Sequence, residues 1–144
     1  NLRQGEAIGL SPQDFADARP TDTLFTCMSA WILLAKDSPW LKSLASCAAL
    51  ELTNSEAILR GKSASRLMAE RVRDDLGIEI GKQQSYQEHM VADVEHANIL
   101  MGVARDHAHD ELARAQILEG VEESWAIDRV FRGHLADLME SMPE

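Results

Sequence analysis

Two cysteines in 144 residues, Cys27 and Cys47, are too few for a disulfide framework. The expected state is two free thiols packed in a reducing compartment, which points to a cytoplasmic protein. Basic residues are scarce as well. Fourteen Lys and Arg face 24 Asp and Glu, for a formal charge of −10, so a polyanion such as nucleic acid would be repelled. No apolar run approaches the ~20 residues a membrane span needs, and no membrane partner is expected. The chain also lacks alternating strand patterns, internal repeats, a P-loop, a GxGxxG turn and a nucleophile elbow. The 45% of hydrophobic residues suit one domain with a real core.

What is present is helical signal almost throughout. In LSPQDFADA, Ser11 reads as an N-cap, Pro12 as the first helical residue and Asp14 as a first-turn carboxylate. That helix ends at Pro20, and Thr21 caps the next, which runs through LFTCMSAWILLAK to about Lys36. DSP breaks it, and Pro39 opens WLKSLASCAALEL. A helix is expected to restart at Asn54 or Ser55 and run through EAILRGKSASRLMAERVRDDL, weakened at Gly61 and closed by Gly77. QQSYQEHMVADVEHANILMGVA carries the strongest pattern, DHAHD reads as a connection, and a last long helix starts at Glu111, with a bend at Gly120 or Gly133. The fold class is all-α: a single helical domain over residues 1–144, with short connections that set neighbouring helices antiparallel.

The chemistry concentrates in HMVADVEH, residues 89–96. A helix turns 100° per residue, so His89, Asp93 and His96, at i, i+4 and i+7, share a face. Forward, the same stripe becomes Leu100 and Val103; backward, it reaches Tyr86, the only tyrosine. Imidazoles and a carboxylate thus stand where a core seam asks for Leu or Ile, and burying them unpaired is costly. A metal ion satisfies them, since these donors suit iron, manganese or zinc, and one histidine can serve by orienting a ligand. Glu51 repeats the anomaly. It continues the apolar stripe Leu41, Leu44, Ala48 at spacings of 3, 4 and 3. A buried carboxylate needs a cation beside it, and an arginine meets that need as well as a metal does.

Other polar groups have simpler readings. In DHAHDE, residues 106–111, the histidines complement a helix C-terminus and Asp110 can cap the next helix. His134 is expected at the surface, Trp31, Trp40 and Trp125 as core anchors, and Arg60, Lys62 and Arg66 as a solvated basic face.

At SLASCAALEL and MVADVEH the chain resembles the haem-oxygenase-like superfamily, which includes TenA-type proteins, pyrroloquinoline-quinone synthase C proteins and non-haem di-iron oxidases. GEAIGLSPQDFADARPTD is similar to the synthase-type GEAVGLSREEL region, SPWLKSLASCAALEL to the tryptophan-containing helix that leads to a TEL segment, and ADVEHANIL to RDVEHGL. The resemblance implies a bundle of about seven helices around a central pocket. This chain would supply the later ones, the C-terminal portion of a longer domain whose earlier ligand-bearing helix is missing. The di-iron branch uses His–x3–Asp–x2–His on one helix, met here by His89, Asp93 and His96, and a glutamate from a preceding helix, met by Glu51.

The implied activity is oxidation of a small organic substrate with O2 on two iron ions, with manganese an acceptable substitute, Tyr86 as a pocket residue and a homodimer as a common assembly. A cofactor-free oxidase like the quinone synthase and a non-enzymatic helical interaction module are the alternatives. A thiamin-salvage hydrolase is weaker, because neither Cys27 nor Cys47 lies in a segment that suggests a nucleophile.

Overall fold

The structure, a computed structural model, describes residues 5, 6 and 9–141. Among them lie six α-helices and no strand: α1 (Pro12–Asp17), α2 (Asp22–Asp37), α3 (Trp40–Asn54), α4 (Ala64–Leu76), α5 (Gln84–His107) and α6 (Glu111–Glu140), with a 3-10 turn at Ile80–Lys82. The all-α reading holds. No described helix is long and apolar enough to cross a membrane.

The helix starts sit where the local chemistry places them. Ser11 and Asp14 form a reciprocal capping box with Pro12 at the first position. Thr21 accepts from Leu24 N at 3.3 Å and opens α2; Asp110 accepts from Ala113 N at 2.8 Å and opens α6. Gly77, left-handed at φ 66°, ends α4.

The expected helix restart at residue 54 or 55 does not occur. Residues 55–63 form turns, and α4 begins at Ala64 with Ser63 as its cap. Gly61 adopts φ 65°, a left-handed conformation that a helix excludes. The Glu56 carboxylate organises the segment: it accepts from Gly61 N at 3.1 Å and from the Ser63 hydroxyl, and pairs with Arg66 Nε at 3.0 Å. Arg66 therefore belongs to this turn and not to a free basic face. Burial pushes the Glu56 carboxyl up, but the hydrogen bonds from Ser63, Gly61 and Arg66 outweigh it and hold it below its ordinary 4.5. Replacing Glu56 by alanine should cost about 1–2 kcal/mol in urea denaturation at neutral pH. A carboxyl held low contributes stability above its ordinary value and loses it as pH falls through the lowered one. The difference between wild type and variant should therefore shrink as the buffer is taken down from pH 4.5.

The chain divides into two compact units that interleave in sequence. One contains Glu51–Asn98 together with the segment up to Arg19; the other contains Pro20–Leu50 together with the segment from Ile99 onward. The first unit has a hydrogen-bonded interior: Ser55, Ser63, Ser65, Gln83 and Asp93 are buried beside Ala69 and Ala97. Gln83 donates to Ala69 O at 2.9 Å and to Ile78 O at 2.8 Å, tying the 3-10 turn to α4.

The second unit packs by close approach of small residues. Ala45, Ala48 and Ala49 of α3 are buried, as are Gly120 and Ser124 of α6. Ser124 donates to Ser46 O at 2.9 Å and Trp125 Nε1 to Ala49 O at 3.0 Å. α6 runs without interruption through Gly120 and Gly133, and Gly120 admits the α3 backbone rather than breaking the helix. α2 lies along α6, with Trp31 tilted on Phe131 at 5.3 Å between centroids.

Several side chains sit differently from expectation. Trp40 and Trp125 are exposed, the first edge-on to His107 and the second anchored by its N–H, because each can leave a ring edge in water while its other contacts are satisfied. Cys47 is exposed, whereas Cys27 is buried. His134 is half-buried, with Nε2 2.7 Å from the Thr21 hydroxyl that caps α2.

Candidate metal centre

The first unit brings together Glu51 from the last turn of α3 and Asp93 and His96 from α5. One ligand atom from each lies within 4.8 Å of the others, the one such His, Cys, Asp or Glu group among the described residues. Helical periodicity carries half of this geometry, since Asp93 and His96 stand one turn apart. The tertiary fold carries the other half by bringing the end of α3 alongside.

Burial is uneven across the group. Asp93 is 1% exposed, whereas the side chains of His89 and His96 are 54% and 55% exposed and that of Glu51 is 30% exposed. The expected inward stripe is thus corrected: only its carboxylate is fully inside, and the imidazoles flank it as half-open walls. The reason is size, because a ring at i−4 or i+3 can reach the Asp93 oxygens from the rim without entering the interior.

Asp93 is the hub. Its Oδ2 lies 3.0 Å and its Oδ1 3.2 Å from His89 Nδ1, while His96 Nδ1 lies 3.7 Å from Oδ1. His96 Nδ1 also lies 3.5 Å from Glu51 Oε2. That separation is an ion-pair distance and not a hydrogen bond, and Oε2 is buried with no hydrogen-bond partner. Burial, then the neighbouring Asp93 carboxyl, pushes the Glu51 carboxyl above its ordinary 4.5, with His96 opposing. An orphaned carboxylate oxygen, a second carboxylate held against it and an imidazole nitrogen facing both make a donor set that fits a divalent cation.

Of the other expected site residues, His89 is bound to Asp93 but stands outside the convergent three. Tyr86 is half-buried one turn before His89, and its hydroxyl makes no hydrogen bond to a described residue. No arginine pairs with Glu51 among the described residues, so the arginine reading of that carboxylate falls away. The rings of His107, the last residue of α5, and His109 just beyond it are tilted 54° to each other at 6.2 Å between centroids, and neither joins a metal-ligating group among the described residues.

No curated protein and no solved structure matches the chain. A family model described as an iron-containing redox enzyme matches residues 2–129, which takes in α1 through α5, most of α6 and every residue of the candidate centre. The chain belongs to that family of iron-containing redox enzymes, within the haem-oxygenase-like superfamily.

Proposed function

We propose that the protein is a non-haem iron oxidase or oxygenase that oxidises a small organic substrate with O2. The observation that carries this reading is the buried, unpartnered Glu51 Oε2 facing Asp93 and His96 in a chain of an iron-containing redox family. Glu51, Asp93 and His96, through Nδ1, would hold one ion. His89, on the other side of Asp93, would give a second ion a donor, its remaining ligands coming from outside these four residues. Iron bound there supplies the electron transfer that activates dioxygen; manganese suits the same donors.

The protein's own groups prepare that site. Asp93 is shielded from water, so its charge acts in a low dielectric. His89 holds it by a hydrogen bond and so fixes which way both oxygens point. Glu51 keeps a proton more readily than an ordinary glutamate and must release it for a cation, so the cation replaces a proton in relieving the two carboxylates.

Ferrous loading of the full-length protein, followed by elemental analysis, tests the reading. Two irons per chain are expected for wild type and one for His89→Ala. Glu51→Gln should bind iron at least tenfold more weakly. The same Glu51→Gln change should make the metal-free protein more stable. A carboxyl held high in the fold leaves stability intact below its ordinary 4.5 and removes it as pH rises through the raised value. The advantage of the glutamine variant should therefore be absent below pH 4.5 and open above it. Wild type that takes up no iron, or substrate oxidation undiminished by a chelator, would overturn the proposal; the latter outcome would favour a cofactor-free oxidase.

A further inference from the structure

α5 carries three of the four candidate ligands, yet little in its packing fixes it about its own axis. Of its 24 residues only Asp93 and Ala97 are buried, and Met90 and Val94 beside them are half-buried. A helix is normally keyed into its neighbours by large apolar side chains that interlock with theirs. Alanine is too small to interlock, and Asp93 belongs to the group that has to be held. The tolerance is narrow. Side-chain ends stand about 5 Å from a helix axis, so turning α5 by about 20° would carry its donors roughly 2 Å sideways. A working site keeps its groups within about 0.5 Å.

An anchor for this helix stands at its head. Gln83, the residue before α5, is 1% exposed, and its side-chain amide donates to Ala69 O of α4 at 2.9 Å and to Ile78 O at 2.8 Å. Its main chain is engaged as well. The N–H donates to Ile80 O at 2.9 Å, and the carbonyl accepts from Gln87 N at 3.1 Å, which starts the hydrogen-bond ladder of α5. One residue thus bonds α4, the 3-10 turn and the first turn of α5. The other end of the amide argues against a purely stabilising role, because Oε1 is buried with no hydrogen-bond partner. Leaving a buried acceptor unpaired costs about as much as the two bonds at the other end contribute, so an apolar side chain would serve stability equally well. What an apolar side chain would not supply is direction.

We propose that Gln83 is a positioning residue for the metal centre: its two hydrogen bonds set the rotation of α5, and with it where His89, Asp93 and His96 point. The proposal rests on the iron reading given above. Gln83 touches no ligand and acts through the helix it starts. His89 stands six residues on, about 9 Å along the axis, and Asp93 ten residues on, about 15 Å, with no break in the helix between them. A turn imposed at the head therefore reaches all three ligands together. Hydrogen bonds suit this task because they lose strength steeply with angle, whereas apolar contacts have no direction.

Amide hydrogen exchange and anaerobic ferrous titration of the full chain, with wild type beside Gln83→Met and Ser65→Ala, test this. Methionine has the length of glutamine and no donor. Ser65 is the control, because its hydroxyl, buried at the start of α4, donates to Asn54 Oδ1 of α3 at 3.2 Å and so makes a buried bond to a different helix. In metal-free Gln83→Met the amides of Gln87, Glu88 and His89 should exchange about tenfold faster than in wild type, while the urea midpoint stays close to that of wild type. Its affinity for ferrous iron should fall about tenfold. Ser65→Ala should leave the exchange of α5 and the iron affinity within about twofold of wild type, even where it lowers the urea midpoint. Unchanged exchange at the head of α5 in Gln83→Met, a collapsed urea midpoint in that variant, or an iron affinity that falls equally in both variants would overturn the proposal. A wild type that takes up no iron would overturn the iron reading, and with it the purpose given to Gln83, while the exchange comparison would still show whether Gln83 holds α5.

Discussion

Asp93→Asn is expected to lower the affinity for ferrous iron at least ~100-fold while leaving the helices intact. Asparagine keeps the shape of the side chain and can still accept from His89, so the local packing survives. It removes the charge, however, and turns one oxygen into an amide nitrogen that carries hydrogens toward a cation. Asp93 is the residue for which this matters most, because it is the hub that touches both His89 and His96 and presses on Glu51, and it is 1% exposed. The change also removes the negative neighbour that helps hold the Glu51 carboxyl high, so the metal-free variant should be no less stable than wild type. Anaerobic iron titration beside urea denaturation checks both halves. A merely structural Asp93 would behave in the opposite way, with stability lost and iron binding kept, and that outcome would remove it from the centre.

Gly120→Ala is expected to destabilise the second unit by about 3 kcal/mol, among the largest effects a single methyl group can have. A Cβ at this position would lie 2.3 Å from the Lys42 carbonyl oxygen and 3.2 Å from the Ala45 methyl. The nearest neighbour is backbone, which cannot swing aside, so α3 would have to retreat from α6. That movement would stretch the Ser124 hydrogen bond to Ser46 O and the Trp125 hydrogen bond to Ala49 O. Gly133→Ala on the same helix provides the control. Nothing lies within 4 Å of its Cβ, so alanine should stabilise α6 by about 0.5–1 kcal/mol through helix propensity alone. Thermal denaturation of the two variants should therefore move in opposite directions, and equal shifts would mean that α3 and α6 are not in close contact at Gly120.

The helices themselves were legible from local chemistry. Ser11 with Pro12, Thr21, Gly77 and Asp110 act within a few residues of where they stand, so their neighbours in sequence suffice to predict them. The turns at residues 55–63 are decided just as locally, against the helix expected there. Helix formers flank the segment, but Glu56 satisfies two turn donors and Gly61 takes a left-handed φ, and together these outweigh propensity. The spacing of His89, Asp93 and His96 was legible too, because it depends only on the period of one helix. The small residues of the α3–α6 contact carry a signal of their own: Ala45 against Gly120 and Ser46 against Ser124 mark a close helix approach.

The amino-acid order alone therefore determined that this chain is helical, where most of its helices start and stop, and that one helix carries two imidazoles and a carboxylate on a single face, because each of these is set by interactions spanning a few residues. Which of those groups is buried, that the Glu51 oxygen meets them without a partner of its own, and that a glycine 78 residues from Lys42 must have no side chain were decided only in three dimensions. Burial and close approach depend on which distant segments share a space, and periodicity along one chain carries no information about that.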